Sequence, residues 1–292
     1  MPLLHALILG ITQGLSEFLP ISSSGHLQLV PWLFGWDDFA GRPQFELTFS
    51  VSLHIGTLAG ALAYFRRDLL RLARAALVAL RLSRTPAMAG GANGPAGDVG
   101  VLDEGRTAWL LLASAVPAAI TGVLLNDSVG ELGNREWLIG ILLVVFGLVL
   151  LWADRMGGDR GFADFRVRDA ALMGAAQALA LAPGVSRSGV TITASRKLGF
   201  SRDAAARLSF LMSLPIIGGA VLFEGVELFR GGGIPPGFTG AFLVGIASAG
   251  VTGWLAVWGT LRLLRTRTFR PFVAYRVVVG TAVMTLAVTS LR

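Results

Sequence analysis

Gly10-Ile-Thr-Gln13-Gly-Leu15-Ser-Glu17-Phe-Leu-Pro20-Ile-Ser22-Ser23-Ser24-Gly25-His26 is echoed 164 residues later by Gly174-Ala-Ala-Gln177-Ala-Leu179-Ala-Leu-Ala-Pro183-Gly184-Val-Ser186-Arg187-Ser188-Gly189-Val190. Each copy is an apolar stretch interrupted by Pro and a Ser/Gly cluster, with ionisable side chains at the interruption. In a chain that crosses a membrane, paired broken segments of this kind point to the binding site. Crossing is what the composition predicts. Of 292 residues 53% are hydrophobic and 15% charged, and the mean hydropathy is +0.66, too apolar for an ordinary soluble domain.

Working outward from the two broken segments, nearly charge-free runs occupy residues 47–65, 107–125, 137–153, 208–223, 238–261 and 271–291. Most approach the roughly 20 residues that a spanning helix needs, so six spans are expected. Residues 3–34 and 170–198 are also apolar, but their breaks leave halves too short to cross alone. They read as re-entrant hairpins, which are tolerated at membrane depth where protein or a wet cavity satisfies the freed backbone. The apolar N-terminus lacks a basic leading region and contains Glu17, which argues against a cleaved signal peptide. Absence of cysteine excludes disulfides and thiolate metal sites.

The net charge of +7 lies in short loops without aromatic-basic interleaving, so it speaks for membrane orientation and against nucleic acid. With Arg187 set aside, 20 of the remaining 24 Lys and Arg fall in residues 66–106, 155–168, 196–207 and 262–276. That excess assigns those segments to the cytoplasm and both termini to the outside. The first hairpin then enters from outside and the second from inside. The expected fold is an all-α polytopic membrane protein of two inverted-topology repeats, each a re-entrant helical hairpin plus three transmembrane helices. It forms one membrane domain over 1–292, with repeat one at 1–155 and repeat two at 166–292. Residues 85–104, rich in Gly, Ala and Pro, read as a cytoplasmic loop.

Chemistry concentrates at the breaks. Gln13 and Glu17 lie four apart on one helix face, and Ser23 and His26 three apart on another. The second break starts a half-helix at Ser186-Arg187-Ser188, whose free N–H groups and forked guanidinium suit a phosphate. Ser/Gly clusters in membrane helices commonly serve packing and capping, and Ser22 alone would be read that way. An idle Arg187 or Glu17 is another matter, because a charge at membrane depth costs roughly 2.5 to 3.5 kcal/mol even on the lenient scale.

At these residues the chain resembles the undecaprenyl-diphosphate phosphatases, the bacitracin-resistance membrane enzymes. The resemblance rests on Gln13-x-x-x-Glu17, Ser22-Ser23-Ser24-Gly25-His26, His54-x-Gly56-Thr57, the long string Pro183-Gly184-Val185-Ser186-Arg187-Ser188-Gly189-Val190-Thr191, and Pro271-Phe-x-x-Tyr275-Arg276. It implies removal of the terminal phosphate from undecaprenyl diphosphate to give the monophosphate carrier lipid of cell-wall assembly. It also implies dependence on a divalent cation, residence in the bacterial cytoplasmic (inner) membrane, and a site facing the extracytoplasmic side. Gln13 and Ser50 stand where many members carry acidic residues, which leaves the cation one charged ligand fewer.

The expected mechanism has Ser23 attack the terminal phosphorus with His26 handling the proton. Glu17 and Gln13 hold Mg²⁺ or Ca²⁺, while Arg187, Ser22, Ser24, Ser186, Ser188 and Thr191 bind the phosphoryl group. His54 and Gln177 are expected to support these groups from behind. Direct attack by water, with Glu17 or His26 as base, is equally compatible with the residues. The expected partners are the prenyl diphosphate lipid and membrane lipid, with no nucleic acid; the sequence leaves room for a homodimer. The rival reading is a secondary transporter or flippase of a lipid phosphate, which needs the same anion cradle but has no evident use for a nucleophile.

Overall fold

The computed structural model describes residues 1–39, 43–83, 96–124, 135–230, 233–234 and 236–289. Two short helices open the chain, α1 (Leu3–Phe18) and α2 (Ser23–Phe34), followed by α3 (Pro43–Ser83), α4 (Ala96–Ala113), α5 (Val116–Leu124) and α6 (Glu136–Asp154). Two short helices come again, α7 (Val167–Leu179) and α8 (Arg187–Lys197), followed by α9 (Arg202–Arg230), α10 (Thr239–Leu264) and α11 (Arg270–Val288). The described residues form an all-helical fold, and among them six helical stretches are long and apolar enough to cross a membrane: Phe45–Leu82, Gly100–Leu124, Glu136–Asp154, Arg202–Val226, Thr239–Leu264 and Arg270–Val288. The six charge-free runs fall on these stretches. At 16 residues, α1 is about 24 Å long, short of the roughly 30 Å hydrocarbon core.

Local sequence explains the breaks. Pro20 disfavours the α conformation in the residue before it, and Leu19 accordingly leaves α1 with φ −64° and ψ 138°. Ser22 then adopts φ 78° and caps α2 by accepting from the Gly25 amide. Its counterpart Ser186 adopts φ 73° and caps α8 by accepting from the Gly189 amide. These are the two non-glycine residues with positive φ among the described residues, and such a conformation is unfavourable for a side-chain-bearing residue.

Small residues set the helix packing. Gly10 and Gly14 of α1 lie against Ser248 and Thr252 of α10, while Gly56 and Gly60 of α3 lie against Gly250. A methyl group at Gly140 of α6 would fall 2.8 Å from the Gly280 carbonyl of α11, so these helices touch backbone to backbone. Large apolar side chains such as Leu222, Phe223, Leu243, Val251 and Val278 point outward, as a surface solvated by acyl chains requires. Inside, Phe18, Phe65, Phe165, Phe200, Phe210 and Met173 belong to the main core.

Three expectations need correction. The expected loop at 85–104 is helical from Ala96 onward; residues 85–95 lie outside the described residues. Just after it, Gly105 lets α4 pack closely on α3 at Ala75, and Glu104 reaches Arg71 at 3.4 Å, so tertiary contact overrides a weak helical pattern. The run 107–125 is divided at Ser114 and Ala115 because Pro117 cannot donate to the helix and crowds the carbonyl four residues earlier. Arg276, counted above as a cytoplasmic loop charge, is fully buried in α11. The remaining 19 of 23 still give the same asymmetry. Of the outer charges in that count, Arg42 and Arg292 lie outside the described residues.

Between α6 and α7, Arg160 donates to Asp169 at 2.6 Å and to the Leu198 carbonyl at 2.8 Å. The Asp169 hydrogen bond and charge hold this guanidinium above its ordinary pKa.

Candidate active site

The breaks after α1 and before α8 meet in space. The Gly184 amide donates to Ser22 Oγ at 3.1 Å, and Ser188 Oγ donates to the Leu19 carbonyl at 3.1 Å. Room for this contact comes from glycine: a methyl group at Gly25 would sit 3.3 Å from the Gly184 nitrogen.

Glu17 lies at the centre, 6% exposed. One carboxylate oxygen accepts from the Arg187 guanidinium. The other accepts from Ser23 Oγ at 2.5 Å and from Gln13 Nε2 at 2.9 Å, with His54 Nε2 3.6 Å away. A buried carboxylate is thereby surrounded by donors and one full opposite charge, the condition under which it stays ionised at depth. A short hydrogen bond from a serine hydroxyl to an ionised carboxylate is the arrangement that prepares an oxygen nucleophile.

Other residues fall into distinct places. His26 Nδ1 lies 2.7 Å from the Ser22 carbonyl, which can only accept, so Nδ1 carries hydrogen and Nε2 faces the Tyr275 hydroxyl at 2.8 Å. The group hydrogen-bonded to Ser23 is therefore Glu17, whereas the sequence reading paired Ser23 with His26. Ser22 and Ser186 spend their side-chain oxygens on helix caps. Ser188 lies 3.2 Å from Ser186 Oγ, and Ser24 is exposed beside the break. Thr191 points away from the Arg187 fork, 2.6 Å from Ser209 Oγ. Gln177 donates at 3.0 Å to the Ser114 carbonyl that the α4–α5 break sets free, away from Glu17. His54 is held by the Ser50 carbonyl at 2.9 Å.

Sequence reasoning missed Arg276. Its guanidinium donates to the carbonyls of Leu143 at 2.9 Å, Pro20 at 3.2 Å, Leu142 at 3.3 Å, Gly184 at 2.9 Å and Val185 at 3.1 Å. No carboxylate touches it among the described residues; five backbone dipoles solvate the charge instead. The available signal was its place six residues into an apolar span, directly after Tyr275, which the sequence reading left without a role.

Beside the first break a cavity of about 580 Å³ is lined by Ser24, Leu27, Phe49, Ser50, Leu53 and Trp36, with Asp37, Asp38, Glu46 and Glu136 also on its wall. His5 stacks on Trp36 and pairs with Asp38 at 2.8 Å, fixing that wall.

Residues 6–282 match the family model described as bacitracin resistance protein BacA. The chain belongs to the BacA family. The match spans every residue of the site from Gln13 to Arg276. Among similar relatives, the undecaprenyl-diphosphatase of Pelobacter propionicus is 46% identical over 295 residues, covering 100% of this chain and 99% of that protein. The undecaprenyl-diphosphatase of Geobacter sulfurreducens is 46% identical over 286 residues, covering 97% and 98%. That of Nocardioides is 41% identical over 287 residues, covering 98% and 97%.

Proposed function

We infer that the protein is an integral membrane undecaprenyl-diphosphatase, releasing phosphate from undecaprenyl diphosphate to leave undecaprenyl phosphate. The observation that carries the reading is the Ser23 hydroxyl on the Glu17 carboxylate beside Arg187, within a chain whose full-length relatives bear that name. Ser23 Oγ attacks the terminal phosphorus, and Glu17 takes its proton. A serine–phosphorus bond forms as the bridging phosphorus–oxygen bond breaks, and undecaprenyl phosphate departs. The proton on Glu17 leaves with the undecaprenyl phosphate oxygen. Water then displaces the phosphate from Ser23, Glu17 accepting water's proton and returning it to Ser23 Oγ as the serine–phosphorus bond breaks. Arg187 shares its fork between Glu17 and the transferring phosphoryl group, aided by Ser24 and Ser188 and by the cap-dictated amides at Ser22 and Ser186. His26 holds the Ser22 carbonyl and moves protons by way of Tyr275. A transporter would need the cradle but not the serine–carboxylate pair.

A divalent cation fits the residues present. The Gln13 side-chain oxygen is buried with no hydrogen-bond partner, next to the Glu17 carboxylate, and two oxygens with a diphosphate and water complete a usual Mg²⁺ shell. Among the described residues no cluster of three or more His, Cys, Asp and Glu is arranged for a metal, so substrate oxygens must supply much of the coordination. When bound, Mg²⁺ or Ca²⁺ would neutralise diphosphate charge. Gln13→Glu adds a charged ligand and is expected to lower the Mg²⁺ or Ca²⁺ concentration for half-maximal activity. A metal titration showing unchanged requirements in both Gln13→Glu and Glu17→Gln would remove the pair from cation binding.

We propose further that the two halves form an inverted repeat within one membrane domain, that α1–α2 and α7–α8 are re-entrant hairpins, and that the site faces outward from the cytoplasmic membrane. What supports this is the repeated element order, the paired serine caps and the meeting of the two breaks. The cysteine-free chain allows a clean test with an impermeant thiol reagent. Asp37→Cys should label in intact cells and Asp159→Cys only after permeabilisation; the reverse would invert the orientation.

The reaction itself is tested by phosphate release from undecaprenyl diphosphate by purified protein, with and without chelator. No release in the presence of added Mg²⁺ or Ca²⁺ would refute the assignment.

A further inference from the structure

At the end of the molecule where α6 and α10 finish and α9 and α11 begin, a second cavity of about 770 Å³ opens. Its wall is dominated by arginine. Arg196 and Arg202 flank Asp154 there: Arg202 Nε donates to Asp154 Oδ1 at 2.6 Å and the Phe269 amide donates to Oδ2 at 3.3 Å. Arg265 lies 3.9 Å from Asp203. Arg155, Arg267 and Arg270 also line the space and make no ion pair among the described residues.

The cavity therefore carries six guanidinium groups against two carboxylates, both already engaged. Arg196 supplies the second observation. It is 2% exposed, yet its Nε has no hydrogen-bond partner, because the Asp154 oxygen facing it, at 3.7 Å, is taken by Arg202. The other two guanidinium nitrogens of Arg196 donate to the Phe200 and Asp154 carbonyls, so Nε alone is left without a hydrogen bond, at a free-energy cost. The first turns of α9 and α11 border the same space and add the favourable end of the helix dipole. The volume lies within the roughly 300–1,000 Å³ of small-ligand pockets.

This site is separate from the catalytic one. Arg196 lies nine positions after Arg187 in α8, about 14 Å along the helix. Lys197 stacks over Trp152 at 5.6 Å and Arg262 over Trp258 at 5.7 Å, and such Trp–basic pairs mark the headgroup level of a bilayer.

We propose that this arginine-lined cavity is a second phosphate-binding site, taking a phosphate group with net negative charge from an anionic glycerophospholipid headgroup or from free inorganic phosphate.

The test uses the full-length protein purified in non-ionic detergent. Phosphatidylglycerol and phosphatidylcholine are titrated separately by native mass spectrometry, and inorganic phosphate by ³¹P NMR. A saturable phosphatidylglycerol adduct, absent with phosphatidylcholine, is expected. The variant R155Q/R267Q/R270Q should bind roughly a hundredfold more weakly, since each juxtamembrane arginine strengthens anionic-lipid binding by about fivefold. The variant R67Q/R74Q/R168Q, which removes the same charge from exposed positions elsewhere, should bind like the native protein. Both variants should keep native melting and phosphate release, because none of these side chains belongs to the catalytic machinery. If inorganic phosphate binds and is lost in the pocket variant while phosphatidylglycerol is not retained, the site stands with free phosphate as its source. Equal weakening by the two variants, or unchanged binding of both ligands in the pocket variant, would overturn the proposal.

Discussion

Ser23→Ala should reduce phosphate release by roughly 10⁴-fold or more, the scale on which loss of a covalent nucleophile acts. The substitution removes one oxygen from a residue whose neighbours keep their own tasks: Ser22 still caps α2 through its contact with the Gly25 amide. Ala at the first helical position is well tolerated, so insertion and melting should match the native protein. Loss of rate then reports chemistry and not folding. Single-turnover experiments with a substrate labelled in its terminal phosphate should show label on the native chain and none on Ser23→Ala. A variant that releases phosphate at near-native rate would transfer the attack to water, with Glu17 as its base.

The second large effect is expected at Arg187. Lys preserves the charge but replaces a planar fork by a single point donor. In the proposed mechanism Arg187 holds the Glu17 carboxylate and a phosphoryl oxygen together, which one ammonium at the end of a flexible chain does poorly. Arg187→Lys is expected to lower kcat/KM by on the order of 10²-fold, as for removal of one aligned donor from a transition-state cradle. The decrease should appear mainly in kcat, because the prenyl chain supplies binding independent of the fork. A rate within about threefold of native would reduce Arg187 to a counter-ion for Glu17.

Much of this architecture was legible because membranes make sequence explicit. Each spanning helix must be long and apolar, so the six charge-free runs fell on the six stretches among the described residues that are long and apolar enough to cross, and the Pro and Ser/Gly interruptions located both breaks. Glu17 and Arg187 stood out because a charge at depth demands a partner, and in the structure they are each other's partner. Pairings within the site were less legible. Ser23 and His26 share a helix face, yet His26 turns to Tyr275, a contact across 249 residues that no local spacing encodes. Gln177 repeats Gln13 in the sequence but faces a carbonyl exposed by Pro117, which only the packing of α7 on α5 reveals. Arg276 was misread because charge counts near a span end cannot distinguish a loop arginine from one whose partners are all backbone.

Arg276 also sets a timetable for biosynthesis. The carbonyls that it gathers belong to the turn after α1, to α6 and to the turn before α8, so residues from across the chain wait on a side chain in the last helix. A ribosome that has delivered α1 through α10 has already produced Glu17, Ser23 and Arg187 and the residues that join the two turns directly, Ser22 with Gly184 and Leu19 with Ser188, but not the side chain that ties both turns to α6. The five-carbonyl clasp is therefore a terminal event, and a nascent chain stalled before α11 holds Glu17, Ser23 and Arg187 without it.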